Sequence, residues 1–269
     1  MEQDISQIFN RDTAEVKLLS LVIPVFNESR SLPRLIRVLG SVKWPVATEW
    51  LFVDDASLDN SVEVIEKFKS EFPSIRLIKR EKNGGKGSAL RVGIDAAQGQ
   101  VIAIQDADLE YDPNDLVTLC GPLIAGKADV VYGSRFKRDV RQVHRTFHRY
   151  ANALLTLLSN LCTGIFLSDM ETCYKVFRAD VLKSFAFDSD RFGFEPEVTA
   201  YMAKFRLRIL EYPISYFPRS YVEGKKINWK DGIAAFWFIF KYNFLVSPEK
   251  CLKDTAKESL AGHVATARH

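Results

Sequence analysis

Between residues 18 and 132, five short and largely apolar runs alternate with four segments of helical period. The runs are Leu18–Val25, Trp50–Val53, Ile75–Lys79, Val101–Ile104 and Asp129–Tyr132. Between them, Ser31–Val42, Asp59–Ser70, Lys86–Ala97 and Asn114–Ala125 repeat their apolar residues at helical spacing. Unbroken β-branched runs suit strands covered on both faces, and strand–helix alternation predicts a mostly parallel sheet flanked by helices. Ligands of such sheets bind beyond the carboxyl ends of the strands. The residues that follow each run are therefore where chemistry is expected.

The fourth run is followed by Gln105-Asp106-Ala107-Asp108-Leu109-Glu110. Side chains two apart on extended chain point the same way, so the carboxylates of Asp106, Asp108 and Glu110 can converge. Three acids at one point repel unless a cation lies between them. Hard oxygen ligands of this kind suit Mg²⁺ or Mn²⁺, which usually bridge to a phosphate. The first run closes with Pro24-Val25-Phe26-Asn27-Glu28, and the second with Asp54-Asp55-Ala56-Ser57. Ser57 or Asp59 can cap the next helix, whereas Asp54 and Asp55 lie too early to do so. The third leads into Asn83-Gly84-Gly85-Lys86-Gly87-Ser88, a glycine-rich turn opening a helix, with an anion-friendly backbone and a lysine beside it. Neither the P-loop spacing nor G-x-G-x-x-G occurs there.

Taken in order, these four motifs resemble the signature of family 2 glycosyltransferases, with most similarity to the polyprenyl- and dolichol-phosphate sugar transferases. The resemblance covers roughly residues 18–244. It implies the nucleotide-diphospho-sugar transferase (GT-A-like) α/β fold and inverting transfer of a hexose from a GDP- or UDP-linked sugar. It further implies that Pro24, Asn27, Glu28, Asp54, Asp55, Lys86 and Asp106 lie along the nucleotide, and that Asp106, Asp108 and Glu110 hold Mg²⁺ or Mn²⁺. Relatives often carry glutamine where this chain has Glu110.

Arg135 follows the fifth run, where the family has an arginine facing phosphate. Arg138, Arg141, Arg145 and Arg149 then recur at three- and four-residue steps, a cationic stripe leading into the apolar Leu154–Phe166 segment. Basic residues of this kind are worth roughly 1 kcal/mol each near anionic lipid. Strands near Thr172–Phe177 and Arg208–Tyr216 and a helix near Pro196–Phe205 are expected next, then an aromatic helix over Trp229–Phe244. By resemblance, Arg135, Arg145, Arg149, Lys175, Arg219 and Lys226 would meet the acceptor or its phosphate, Gly224 being the hinge of a closing loop. Asp108, Arg135, Glu197 and Lys226 would carry the chemistry. A lipid-phosphate acceptor is already ionised and needs no base, whereas a sugar hydroxyl would need Glu197 or Asp169.

The 269 residues are 47% hydrophobic, enough for one large domain. The expected division is a flexible N-terminus (1–14), a nucleotide-sugar half (15–136), an acceptor half of the same domain (137–246) and a flexible tail (247–269). A net charge of +3 gives no reason to invoke nucleic acid. Four cysteines without paired spacing suit a reducing cytosol, and Met1-Glu2-Gln3-Asp4 does not begin a signal peptide. No apolar run approaches the roughly 20 residues of a membrane span. The chain is thus expected to be cytoplasmic and peripheral on the membrane, directly or through an integral-membrane partner or homo-oligomer. A haloacid-dehalogenase-type phosphatase would carry its acid pair on the first strand, and a nucleotidyltransferase would have glycines after it; neither pattern occurs. A non-catalytic nucleotide-sugar-binding scaffold and a transferase acting on sugar hydroxyls remain as alternatives.

Overall fold

The computed structural model describes residues 15–137, 146–191, 193–218 and 229–258. Seven strands form one sheet: β1 (Leu18–Val25), β2 (Ala47–Asp54), β3 (Ile75–Lys79), β4 (Val101–Ile104), β5 (Val130–Ser134), β6 (Lys175–Arg178) and β7 (Ile209–Pro213). Their order is β3-β2-β1-β4-β6-β5-β7. Neighbours are parallel except around β6, which runs antiparallel to both β4 and β5. The expected mostly parallel sheet is therefore present, with one reversed strand, β6, in its interior.

Alternation along each central strand feeds two cores. Leu19, Leu21, Ile23 and Val25 of β1 face one side with Val101 and Ala103 of β4, while Val22, Ile102 and Ile104 face the other. Helices α1 (Leu32–Ser41) and α4 (Pro113–Ile124) cover the first side through Leu32, Leu35, Ile36 and Leu39, and Leu116, Leu119 and Leu123. On the second side lie α3 (Lys86–Ala96), α6 (Ala179–Ser184) and α7 (Phe194–Lys204). Gly93 of α3 packs so closely on β1 and β2 that a Cβ there would stand 3.1 Å from the Val53 side chain. Each fully buried Leu or Ile of these layers contributes about 1.5–3 kcal/mol.

Two helices extend from the second core. The helix α5 (Thr146–Thr163) packs on α8 (Trp229–Phe240), which continues as a π-helical turn over Lys241–Leu245. Both are amphipathic: Leu155 and Ile239 are buried, while Leu154, Leu157, Leu161, Trp237, Phe240 and Phe244 are exposed. No helix among the described residues is long and apolar enough to cross a membrane. The tail, expected to be flexible from residue 247, packs in its first part. Pro248–Cys251 is a 3-10 turn, and Cys251 and Leu252 are buried in the second core, with Leu252 bridged to Phe185.

Candidate active site

The carboxyl ends of β1, β2 and β4 open into a cavity of about 390 Å³. Three residues in the loops leaving these strands are left-handed, one in each: Asn27 (φ 54°), Ala56 (φ 58°) and Leu109 (φ 59°). Non-glycine residues adopt this conformation at a cost, which the surrounding contacts must hold in place. Asn27 joins two of the loops: its N–H donates to Ser57 Oγ at 3.0 Å, and its Oδ1 accepts from the Leu58 N–H at 2.7 Å. Asn27 does not line the cavity, whereas Pro24 and Glu28 do. The Ser31 hydroxyl donates to Glu28 Oε2 at 2.8 Å.

Of the acid pair after β2, Asp55 lines the cavity and Asp54 does not. Asp54 is buried, with Oδ2 accepting from the Ser57 N–H at 3.2 Å. Asp55 organises the glycine-rich turn. Its carboxylate accepts from the N–H groups of Gly84 and Gly85, the latter at 2.7 Å, and pairs with the Arg80 guanidinium. Gly85 has φ +88°, and a Cβ there would lie 2.7 Å from the Asp190 carbonyl oxygen, so only glycine fits. The next amides, Gly87 and Ser88, donate to the carbonyls of Arg191 and Asp190 at 3.2 and 3.0 Å. The expectation of an anion-binding backbone is corrected here: these four N–H groups already have acceptors. What the turn delivers to the cavity is Lys86.

Lys86 Nζ lies 2.9 Å from Asp106 Oδ1, 3.2 Å from Glu195 Oε1 and 2.8 Å from Cys173 Sγ. Burial acts to lower this ammonium, but Asp106 leads its neighbours in holding it well above the usual lysine value. Burial raises the Asp106 carboxyl, and Lys86, Cys173 and Lys175 together outweigh that and hold it low. Burial, then the Asp106 charge, push the Cys173 thiol up, so it stays neutral.

Asp106, Asp108 and Glu110 all line the cavity. Asp108 Oδ1 accepts from the Glu110 N–H at 3.1 Å, and Glu110 Oε2 accepts from the Tyr216 hydroxyl at 2.9 Å. Among the described residues, no three acidic, histidine or cysteine side chains form a closed metal cage. Mg²⁺-type ions do not require one, because they take one or two carboxylates and complete their shell with water and phosphate. Asp106 and Asp108, two apart on one wall, fit that mode. Glu110, the expected third ligand, has other work. Its bond to Tyr216 ties the β4 loop to residues 216–217, whose Phe217 N–H also donates to the Glu110 carbonyl at 2.7 Å.

Arg135 closes the cavity from the β5 side. Its Nε and Nη2 make a two-pronged bond to Asp169, 2.7 Å each, and Asp169 also accepts from the Arg135 backbone N–H at 2.9 Å. The guanidinium stacks 5.2 Å from the Tyr216 ring and 5.7 Å from Phe136. Arg149 of α5 stands 5.9 Å over the same Phe136 ring, one aromatic width from Arg135. Arg145, Arg219 and Lys226, with the proposed hinge Gly224, lie outside the described residues.

Lys175 and Glu197 depart from their expected places as well. Lys175 is completely buried beneath the site: its ammonium donates to the carbonyls of Met170, at 3.1 Å, and Thr172, and it faces the Tyr132 ring at 4.8 Å. Burial lowers its pKa, and it does not line the cavity. Glu197 also points away. Its carboxylate accepts from the N–H groups of Asp188 (2.8 Å) and Ser189 (3.1 Å) and from the hydroxyls of Ser189 (2.5 Å) and Tyr201 (2.9 Å). The acid of α7 that reaches the cavity is Glu195. Glu197→Gln is thus expected to cost about 1–3 kcal/mol of stability by turning an NH₂ group towards donors. Turnover of the folded variant should stay within a few-fold, and urea midpoints beside initial rates check both. Glu171, Cys173, Glu195, Tyr111 and Tyr216 also line the site.

The model of glycosyl transferase family 2 matches residues 20–185, more than half of the chain. The chain belongs to glycosyl transferase family 2. Among relatives of this family-2 protein, dodecaprenyl-phosphate galacturonate synthase of Rhizobium johnstonii is 32% identical over 169 residues, 61% of this chain and 49% of the relative. Undecaprenyl-phosphate 4-deoxy-4-formamido-L-arabinose transferase of Salmonella choleraesuis is 30% identical over 219 residues, 80% of this chain and 64% of the relative. The chain thus spans about half to two thirds of the length of these relatives. A similar solved structure is glucosyl-3-phosphoglycerate synthase of Mycobacterium tuberculosis with Mn²⁺, UDP and glucosyl-3-phosphoglycerate: TM-score 0.63, 17% identity, 90% of this chain and 85% of that one. At that identity the likeness establishes the fold, which is GT-A-like.

Proposed function

We propose that this family-2 chain transfers a hexose, with inversion, from a UDP- or GDP-linked sugar to a polyprenyl phosphate at the cytoplasmic membrane surface. The observation that carries the reading is the pairing of two walls in one cavity: Asp106 and Asp108 after β4, and Arg135 after β5. Pro24, Glu28 and Asp55 then line the nucleotide end. A divalent ion held by Asp106 and Asp108 would neutralise the departing diphosphate as a Lewis acid. Lys86, already charged, stands beside Asp106 to add a cation near the same phosphates. Arg135 presents its remaining N–H groups to the acceptor phosphate, a geometry guanidinium favours over ammonium.

Two further observations favour a phosphate over a hydroxyl acceptor. The bases named for hydroxyl transfer, Asp169 and Glu197, are both committed, one to Arg135 and the other to the 188–189 backbone and nearby hydroxyls. Beyond Arg135, α5 and α8 expose Leu154, Leu157, Leu161, Trp237 and Phe240, a surface suited to a bilayer interface. The relatives named above also act on polyprenyl phosphates by name.

The test begins with thermal shifts in Mn²⁺ against UDP, GDP, UDP-glucose, UDP-N-acetylglucosamine and GDP-mannose. One nucleotide should stand out, stabilising by about 2.7 kcal/mol at 100 times its Kd. A polyprenyl-phosphate transfer assay with that donor follows. Absence of any metal-dependent shift would remove the donor-site assignment, and transfer only to hydroxyls would move the chain to glycan synthesis.

A further inference from the structure

Glu171 lies in the turn that leads from α5 into β6, and it lines the cavity beside Glu195 and Arg135. Its Oε1 is buried and has no hydrogen-bond partner among the described residues. A buried carboxylate oxygen left this way would forgo several favourable bonds, so the neutral acid is the less costly form. The charges around it come from four sides. Glu195 approaches from the start of α7 and Asp169 from the same turn, both negative; Lys175 lies beneath on β6, and Arg135 faces it from the end of β5. Both cations have other engagements, Arg135 with Asp169 and Lys175 with two backbone carbonyls.

We propose that Glu171 meets bound substrate as a neutral carboxylic acid, donating a hydrogen bond from its side chain to a phosphate oxygen. This rests on the nucleotide-sugar reading above. A carboxylate at this place would repel the phosphates that Arg135, Lys86 and a metal ion attract, whereas the acid offers them a donor. Carboxyl groups kept neutral in apolar sites are used in this way. Burial first, then the charge of Glu195, move its pKa from 4.5 up to about 7. Arrival of a phosphate adds negative charge and moves it further in the same direction. Substrate binding should therefore take up a proton above pH 7, and binding should weaken as pH rises beyond that point.

Calorimetric titration at pH 8, in buffers of different ionisation enthalpy, counts those protons. The probes are UDP and GDP with Mn²⁺, and farnesyl phosphate as a short polyprenyl phosphate. Wild type should take up protons on binding at pH 8, because Glu171 starts largely ionised there and is driven to the neutral acid by the ligand. Glu171→Gln, whose amide donates at every pH, should bind as tightly or more tightly with that uptake gone. Its Kd should stay flat where that of wild type rises about tenfold per pH unit. Uptake with UDP or GDP assigns the bond to the donor diphosphate, and uptake with farnesyl phosphate assigns it to the acceptor. Equal uptake in wild type and variant overturns the proposal while leaving the nucleotide-sugar reading intact. So does a 100-fold loss of transfer in Glu171→Gln with binding preserved, which would make Glu171 a proton acceptor. If none of the probes binds wild type, the underlying reading falls and the proposal with it.

Discussion

Asp108→Asn is expected to lower kcat for sugar transfer by about 10²- to 10³-fold, roughly 3–4 kcal/mol of transition-state stabilisation. The substitution isolates charge from architecture. The asparagine side chain would keep an oxygen for the Glu110 N–H, the bond that holds the turn after β4, and lose only the negative charge offered to the cavity. Stability should therefore change by less than about 1 kcal/mol, in line with a conservative change at a half-buried side chain. The Mn²⁺-dependent part of nucleotide binding should disappear in the thermal-shift assay. Full-rate turnover by Asp108→Asn would end the metal mechanism, because Asp106 alone is already held by Lys86.

The largest effect on stability is expected at Asp169. This carboxylate is completely buried and holds the Arg135 guanidinium through two side-chain bonds of 2.7 Å. Asp169→Ala leaves Arg135, itself 9% exposed at the side chain, with an unpaired charge. Breaking such a pair costs about 3–5 kcal/mol, whereas replacing both partners by apolar groups is often close to neutral. For a domain of this size the midpoint should fall by roughly 10 °C. Asp169→Ala combined with Arg135→Met should recover most of that loss, since the stranded charge is gone. The double variant should nevertheless be inactive towards polyprenyl phosphate. A denaturation cycle over the four proteins measures the coupling. A coupling near zero would show that the pair is not structural, and a fully active double variant would remove Arg135 from the acceptor site.

Much of the donor side could be read without the structure because its signals are local. Leu18–Val25, Ile75–Lys79 and Val101–Ile104 form strands with those bounds, the first and last largely buried and Ile75–Lys79 a half-buried edge strand. Pro24 near the end of one such run, and Glu28, Asp55, Lys86, Asp106 and Asp108 beyond the runs, do line one cavity. What escaped reading depends on packing between distant segments. Nothing in Lys175-Val176-Phe177-Arg178 states which way a strand runs, so the reversal of β6 was invisible. Lys175 reads as a charge for solvent or substrate, and only the fold shows it beneath the turn that carries Glu171. On α7 the choice between Glu195 and Glu197 is a matter of helical phase. Two residues on a helix lie about 200° apart, so one facing the cavity turns the other away. Every residue from Phe194 to Met202 is buried, which leaves no polar stripe to reveal that phase. The glycine-rich turn misled for a related reason. Its amides are placed as an anion cradle requires, but their acceptors arrive from Asp55 and from residues 190–191, far along the chain.

The reversed strand has a mechanical consequence. Because β6 is hydrogen-bonded to β4 on one edge and β5 on the other, the strand that leads to Asp106 and the strand that leads to Arg135 belong to one continuous ladder. Two lobes joined by a linker could swing apart to admit a long lipid and shut to expel water. This floor has no hinge, and spreading its walls would mean tearing backbone bonds across the middle of the sheet. Any gating of the proposed acceptor would then have to come from outside the strands. The sheet amides should accordingly be protected from exchange equally before and after substrate binds.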